Sequence, residues 1–382
     1  MNKKKYFEIG CFHFSLKNRE ENIDCNDYKK NIEQCLSSIS NITNLKIEFG
    51  VKRSNKEVTL DYTALINDPI TRKDNTFFPI PYFGQIIFDL KVPFEFQISI
   101  WPILHLINEK IENFRVRIIY DGILPIAFIM PLDFSDKYHL HSIVMVVREY
   151  LKTLINSKDN CLIEFVILGP SPLHVNCYLE PSEGINNSPG WEFYDNQDKV
   201  PNEIIFDYST TYFNNYEDNQ DYLESVSDSI FRYISKEVAL YYKIEQMINL
   251  RNKMWRNIDG YIAQLRDSQK QCYFKKLKIN TIILPKIINN LFLELVEFQS
   301  DWITYSYYLD NLFKAYNDTK SLQPFNGIIN KIHEDYLSKK FPVEEVHQLI
   351  NFYEQRTTNT WIIIAGFAGV LLGAILTKAF GG

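Results

Sequence analysis

The first 212 residues alternate apolar and polar positions in short stretches, interrupted by two longer stretches of helical spacing. The alternating stretches are rich in Ile, Phe, Val and Tyr and are bounded by turn residues, which is typical of β-strands. Residues 28–39 and 141–155 instead place their apolar side chains on one face of a helix. The predicted strands are 6–16, 45–51, 85–92, 94–100, 114–120, 125–130, 162–168, 175–179 and 203–208.

Turn residues indicate how these strands are connected. Asp121 and Gly122 separate two predicted strands and predict a tight hairpin between them. Residues 180–202 are rich in Pro, Gly, Asn, Asp and Ser, which predicts a long surface loop. Many strands and few helices predict an α+β fold class for residues 1–212, with a mixed or largely antiparallel sheet flanked by helices.

Residues 213–340 change to helical spacing over long distances. No proline lies between Asp218 and Arg266, and the apolar residues there recur at intervals of three and four. A second run, from Leu291 to Tyr316, alternates intervals of four and three. Because a polar stretch, 267–280, joins the two runs, we expect a long antiparallel helical hairpin with coiled-coil-like packing. Its apolar seam either packs within one chain or, in part, holds subunits together.

Residues 341–382 predict a stalk helix that continues into a C-terminal transmembrane helix. Pro342, followed closely by two acidic residues, is typical of a helix start. From Trp361 the chain is WIIIAGFAGVLLGAILTKAFGG, and roughly 20 apolar residues in a helix span a bilayer core. Residues 361–380 are therefore predicted to cross a membrane. Since no signal-peptide pattern precedes them, we expect a tail-anchored, single-pass protein with its N-terminal bulk in the cytoplasm.

Small residues recur along one face of this predicted transmembrane helix. Ala365, Gly369 and Gly373 are spaced four residues apart, and Gly366 widens the same face. Such spacing allows two helices in lipid to approach closely. With Trp361 as an aromatic anchor at the interface, the pattern predicts self-association of the helix, although Gly and Ala are also common in membrane helices generally.

Composition and charge narrow the choice of partners. The net charge of −6 gives no overall attraction to nucleic acid, so no nucleic-acid partner is expected. The chain is 46% hydrophobic and 15% aromatic, which favours large cores over disorder. Its six cysteines include no C-x-x-C pair and no zinc-finger spacing, so buried thiols are expected in preference to a disulfide or metal framework.

Two short clusters are weak candidates for a ligand site. His139 and His141 would place two imidazoles on one face of an extended segment, which suits a metal, but a predicted helix start favours capping and solvation instead. Ser171 and His174 follow a predicted strand, but two prolines remove amide donors that an oxyanion hole would need. No phosphate-loop, serine-hydrolase, zinc-protease or kinase motif occurs, so we expect no catalytic residue, cofactor or metal.

These patterns favour a non-enzymatic, tail-anchored protein that forms homo-oligomers and couples a cytoplasmic binding or sensing domain to the lipid bilayer. One specific version is a membrane-perturbing effector of the toxin or antiviral-defence type. Two alternatives stay open. The first is a membrane-tethered enzyme with an unrecognised site in residues 1–212. The second is a scaffold that recruits a partner protein through the helical region.

Overall fold

The structure is a computed structural model, and it describes the larger part of the chain. The described residues are 4–17, 25–49, 83–100, 102, 110–121, 123–133, 143–157, 161–169, 173–182, 191–195, 203–209, 219–269, 279–318, 323–338 and 341–380. For residues 371–380 only the helical backbone is described.

The strands form an eight-stranded mixed sheet and a separate two-stranded ribbon. In chain order they are β1 (Lys5–Gly10), β2 (Phe12–Leu16), β3 (Ile42–Phe49), β4 (Phe83–Lys91), β5 (Asn113–Asp121), β6 (Ile126–Pro131), β7 (Ile163–Ile167), β8 (Asn176–Ser182), β9 (Trp191–Asp195) and β10 (Glu203–Ser209). The large sheet has the order β3-β4-β5-β6-β1-β8-β10-β9, and β2 pairs with β7 in the ribbon. Among these pairs β8 and β10 are parallel and the others antiparallel.

Helices flank the sheet and make up the C-terminal part of the chain. They are α1 (Cys25–Ser37), α2 (Phe94–Ile100), α3 (Ile143–Asn156), α4 (Asn219–Gln269), α5 (Leu284–Asn317), α6 (Asn326–Ser338) and α7 (Val343–Phe380), and a π-helical turn (Ile279–Ile283) precedes α5. An N-terminal sheet followed by C-terminal helices confirms the predicted α+β class.

The chain divides into two compact units. The sheet unit comprises residues 1–246 and 308–334, and the helical unit comprises residues 247–307 and 335–382. Within the helical unit, α4, α5 and α7 share a core, and Asn257 and Tyr261 donate side-chain hydrogen bonds of 2.9 and 2.7 Å to Glu294. The buried members of this core are Met254, Ile258, Leu291, Leu295, Phe298, Phe341, Val346 and Ile350.

Alternation along β1 directs side chains to the two faces of the large sheet. On one face Phe7 lies 4.9 Å, between ring centroids, from Phe231 of α4, and Phe231 stacks on Phe128 at 4.3 Å. On the other face a Cβ on Gly10 would lie 2.7 Å from Val144 of α3, so the glycine permits this close approach. The sheet is therefore covered by α4 on one face and by α3 on the other.

Ion pairs join the first turns of α4 to β5. Arg115 pairs with Asp89 of β4 at 2.8 Å and also with Glu224. Arg117 pairs with Asp228 at 3.2 Å. Because both arginines are largely buried, each carboxylate partner offsets the cost of removing a guanidinium from water. The contacts orient α4 along the apolar face that Phe231 covers.

Two secondary-structure predictions were wrong. Residues 94–100 alternate like a strand but form α2, because Glu112 accepts a 2.9 Å hydrogen bond from the Phe94 amide and Gln97 donates to two backbone carbonyls. Within the predicted loop 180–202 lies β9, where Trp191 is buried and pairs with Tyr208. In both places tertiary contacts overrode the local pattern.

A disulfide between Cys35 and Cys161 corrects the expectation of reduced thiols throughout. Their Cα atoms are 5.8 Å apart, at the end of α1 and just before β7. The two residues are separated by 126 positions in sequence, and no local spacing pattern indicates such a pair. Cys11 and Cys177 are buried in the sheet unit.

The predicted transmembrane helix, tail anchor and single-pass membrane localisation are wrong. Residues 343–380 do form one helix, α7, but no helix in the described part of the chain is long and apolar enough to span a bilayer. Glu354 and Arg356 lie in the first half of α7.

Candidate interaction surface

Large apolar side chains lie in water near the end of α7. Trp361, Ile362, Ile363 and Val370 are between 50% and 72% exposed, and we call these four residues the α7 tail surface. Contiguous exposed apolar side chains are typical of surfaces that bind another protein. The tail surface is thus the first candidate for a functional contact.

The small residues that the sequence singled out lie beside this surface. Ala365, Gly366 and Gly369 are exposed, and no heavy atom lies within 4 Å of a Cβ built on either of these glycines. Gly373 belongs to α7, but its surroundings lie outside the described residues. Within the described part of the chain, nothing packs on Gly366 and Gly369, so this smooth face is open to a partner.

A second apolar surface runs along α5. Phe292, Val296, Ile303 and Tyr307 are between 43% and 74% exposed, and we call them the α5 outer stripe. Because an α-helix turns by about 100° per residue, their spacing of four, seven and four keeps them within about 60° of one another. The stripe lies beside the buried seam that contains Leu295, so within the described ranges α5 has one buried and one exposed apolar face.

A buried carboxylate in the sheet unit meets the start of α3. Glu8 is 3% exposed and accepts a 2.9 Å hydrogen bond from the Val144 amide and a 2.8 Å hydrogen bond from the Tyr6 hydroxyl. Burial raises the pKa of Glu8 to about 7, although these hydrogen bonds oppose the rise. The group titrates near neutrality, and its hydrogen bond to the first turn of α3 makes it a helix cap.

Two unpartnered polar side chains lie on β2. His13 and Ser15 are fully buried, and neither imidazole nitrogen of His13 nor the hydroxyl of Ser15 has a hydrogen-bond partner among the described atoms. Burial lowers the pKa of His13 to about 3, so the ring is neutral under ordinary conditions. Tyr120 contacts the ring edge-on, with centroids 6.4 Å apart. The unpartnered polar groups of His13 and Ser15 therefore destabilise the core.

Glu237 is a second buried carboxylate with a raised pKa. It lies on α4, is 5% exposed and accepts a 2.7 Å hydrogen bond from the Tyr316 hydroxyl. Burial raises its pKa to about 7, while the bonds from Tyr316 and from the Phe325 amide lower it. These contacts hold the end of α5 and the residue just before α6 against α4 within the sheet unit.

Charged and aromatic side chains meet on the sheet near β8 and β10. The Lys4 ammonium lies 4.0 Å from the centroid of the Tyr178 ring and 3.8 Å from carboxylate oxygens of both Glu180 and Glu203. Burial and then the nearby Glu180 raise the pKa of Asp207. These acids already hold a cation from their own chain, so the cluster is satisfied internally.

Of the weak ligand-site candidates, only His174 lies within the described residues. His139, His141 and Ser171 lie outside the described residues, and His174 is exposed in the segment before β8. Across the ranges that are described, no three His, Cys, Asp or Glu side chains are arranged to hold a metal.

The sequence carried a signal for two of the buried groups that were not selected as site residues. Glu8 and His13 are single polar residues inside the apolar run 6–16, and such interruptions mark positions that require a specific partner or impose a cost. Glu237 has no comparable signal, because a glutamate on a long helix is ordinarily solvated.

Comparison with protein-family models, curated proteins and solved structures found no match for this chain.

Proposed function

We propose that this chain is a non-enzymatic protein that associates with further copies of itself through α7, while its sheet unit provides the binding or sensing part. The observation that carries the proposal is the exposure of Trp361, Ile362, Ile363 and Val370 at 50–72% of their surface. Removing such side chains from water is the dominant favourable contribution to protein association.

The helical unit supports this proposal because it is rigid where α7 begins. Val346 and Ile350 are buried against α4 and α5 in the shared core. From Phe352 to Val370 the described side chains of the helix are predominantly exposed. A helix that is packed at one end and exposed at the other presents its apolar segment in a defined direction, which lowers the entropic cost of binding. We also propose that α4 and α5 form the predicted antiparallel hairpin that supports α7.

The buried titratable groups fit a structural role better than a catalytic one. Glu8, His13 and Glu237 have shifted pKa values, which is also a property of catalytic residues. All three are at most 5% exposed and sit beneath helices or strands. A general acid or base must come within hydrogen-bond distance of its substrate, and these positions favour capping and packing instead.

Sedimentation velocity on the full chain at increasing concentration tests self-association. We expect a dimer or larger species that dissociates when Ile363→Glu and Val370→Glu are introduced together. Two carboxylates in an apolar contact would have to lose their hydration without gaining a partner. The matched control is Asn351→Glu with Gln355→Glu, which adds the same charge to exposed polar positions of the same helix.

The control variant should retain the mass of the parent protein. A parent chain that stays monomeric throughout the concentration series would contradict the proposal, as would an unchanged oligomer in the Ile363→Glu, Val370→Glu variant. A stable complex with a different protein that replaces the homo-oligomer would instead support the scaffold alternative.

A further inference from the structure

Among the residues that the structure describes, none covers the α5 outer stripe, although its pattern is that of a helix-packing seam. Phe292, Val296, Ile303 and Tyr307 lie on one side of α5, and no charged residue falls within the arc that they define. Gln299 and Ser300 occupy the gap in the middle of the stripe. An uncharged apolar stripe on a surface helix is typical of a seam that packs against a second helix.

We propose that the α5 outer stripe of one copy receives residues 361–370 of α7 from a second copy. This inference rests on the proposed self-association and adds the identity of both contacting surfaces. By two-fold symmetry the same contact occurs twice, so that each copy donates its α7 tail surface and accepts that of its partner.

Side-chain size favours this pairing over a contact between two α7 helices. In water the driving force scales with the apolar area that is buried, and a glycine contributes no side-chain area. Two α7 helices that met through Gly366 and Gly369 would bury little. The large side chains of the α5 outer stripe fit against the small residues, because alternating large and small residues at facing positions allows close packing.

The α5 outer stripe and residues 361–370 also match in length and in their lack of charge. The stripe from Phe292 to Tyr307 extends for about 22 Å along α5, and residues 361–370 extend for about 15 Å, so the segment fits within the stripe. Residues 361–370 carry no charge, and neither does the arc of the stripe. Neither helix therefore has to desolvate an unpaired charge when the two surfaces meet.

The available apolar area suits a dimer. Seven large side chains, each 43–74% exposed, lie within the arc of the stripe or within about 100° of one another on α7: Phe292, Val296, Ile303, Tyr307, Ile362, Ile363 and Val370. At roughly 100 Å² apiece, about half of the area of an aromatic side chain, they present on the order of 700 Å². A standard interface buries about 800 Å² per partner. Pairing two α5 stripes with each other would leave all the α7 residues in water.

Isotope-coded disulfide cross-linking of full-length chains tests the pairing. A ¹⁵N-labelled Val296→Cys variant is mixed with an unlabelled Gly366→Cys variant, oxidised, digested and analysed for linked peptides by mass spectrometry. Gly366 lies between Ile362 and Val370 on one face of α7. We expect a link between residue 296 of the labelled chain and residue 366 of the unlabelled chain. The matched control replaces the heavy chain with Glu297→Cys, whose neighbouring exposed position points roughly 100° away from Val296 around α5. The control should give at least tenfold less linked peptide.

Other cross-linking patterns would overturn the inference. A dominant link between residue 366 of two unlabelled chains would place α7 against α7 and leave self-association intact. Equal yields from positions 296 and 297 would show that the stripe is not the contact. A monomeric parent chain would overturn both the inference and the proposed function.

A second pair of variants tests the same contact without introducing cysteines, which could themselves alter association. Ile303→Glu places a charge within the stripe, and Thr304→Glu places it at the next exposed position, outside the stripe. We expect Ile303→Glu to weaken association in sedimentation velocity by about tenfold or more, and Thr304→Glu to leave it within about twofold. Equal effects of the two substitutions would overturn the inference.

Discussion

Tyr6 and Glu8 lie on the same face of β1, and the Tyr6 hydroxyl donates a 2.8 Å hydrogen bond to the Glu8 carboxylate. The other oxygen of Glu8 accepts the Val144 amide at the start of α3. This arrangement connects the first strand to α3, although Glu8 and Val144 are 136 positions apart in the sequence. The buried Glu8 side chain therefore positions the start of α3 against β1.

The first prediction concerns Glu8 and stability between acidic and neutral pH. Burial raises its pKa from 4.5 to about 7, so the folded state binds more protons than the unfolded state between these values. The resulting stabilisation is fully present below about pH 4.5 and is lost as the pH rises through 7, on the order of 3 kcal/mol in all. Glu8→Gln should remove the part of this pH dependence that Glu8 contributes, measured by urea unfolding at about pH 5 and about pH 8.

Glu237 provides an internal comparison, because burial also raises its pKa to about 7. Glu8→Gln should therefore remove only part of the decline, and Glu8→Gln with Glu237→Gln should remove more. An unchanged slope in the double variant would show that neither carboxylate is protonated in the folded protein.

The second prediction concerns His13 and has the opposite sign. Burial lowers its pKa from 6.5 to about 3, so the unfolded state binds the additional proton. Stability is therefore lost as the pH falls from about 6.5 towards 3, by up to about 1.4 kcal/mol per pH unit. His13→Leu should reduce this loss of stability at acidic pH. It should also raise the free energy of unfolding at neutral pH by about 1 kcal/mol, because an unpartnered buried polar group is removed.

The exposed His174 supplies the control for this experiment. His174→Leu should change the free energy of unfolding by less than about 0.5 kcal/mol at either pH. A loss of several kcal/mol at neutral pH in His13→Leu alone would mean that the imidazole makes hydrogen bonds that stabilise the core.

The sequence could identify some of these groups but not their partners. Glu8 and His13 stand out as polar interruptions of an apolar run, whereas Val144 and Tyr120 are distant in sequence and reach them only through the fold. The long helices were predictable, because 3,4 spacing without proline constrains a segment strongly. Residues 94–100 were not predictable, because contacts of Gln97 with the carbonyls of Val92 and Ile111 decide their conformation.

The candidate surface was only partly predictable for a related reason. Hydrophobicity marked residues 361–380 as unusual, but it does not distinguish the environment that an apolar helix occupies. On α5 the spacing predicted the buried seam containing Leu295 and Phe298. The exposure of Phe292 and Ile303 depends on which neighbouring helices pack against α5, so only the structure revealed the outer stripe.

The third prediction concerns the Cys35–Cys161 disulfide. Closing a loop of 126 residues restricts the unfolded chain and stabilises the fold by up to about 5 kcal/mol. Cys35→Ala with Cys161→Ala should lower the midpoint of thermal unfolding, and dithiothreitol should lower the midpoint of the parent protein but not that of the variant. A non-reduced digest in which the two cysteine peptides separate without reductant would contradict the bond.

The final prediction uses two phenylalanines to distinguish effects on stability from effects on self-association. Phe231 is 2% exposed and packs against Phe7 and Phe128, whereas Phe292 is 43% exposed on the α5 outer stripe. Phe231→Ala should lower the free energy of unfolding by about 3–5 kcal/mol, because it leaves a cavity between α4 and the sheet. Phe292→Ala should change stability by less than about 1 kcal/mol, since its ring already contacts water. Its effect should instead be weaker association, measured by sedimentation velocity below the unfolding transition. If Phe292→Ala destabilises the monomer as strongly as Phe231→Ala does, Phe292 belongs to the core of the helical unit and the outer stripe is not a free surface.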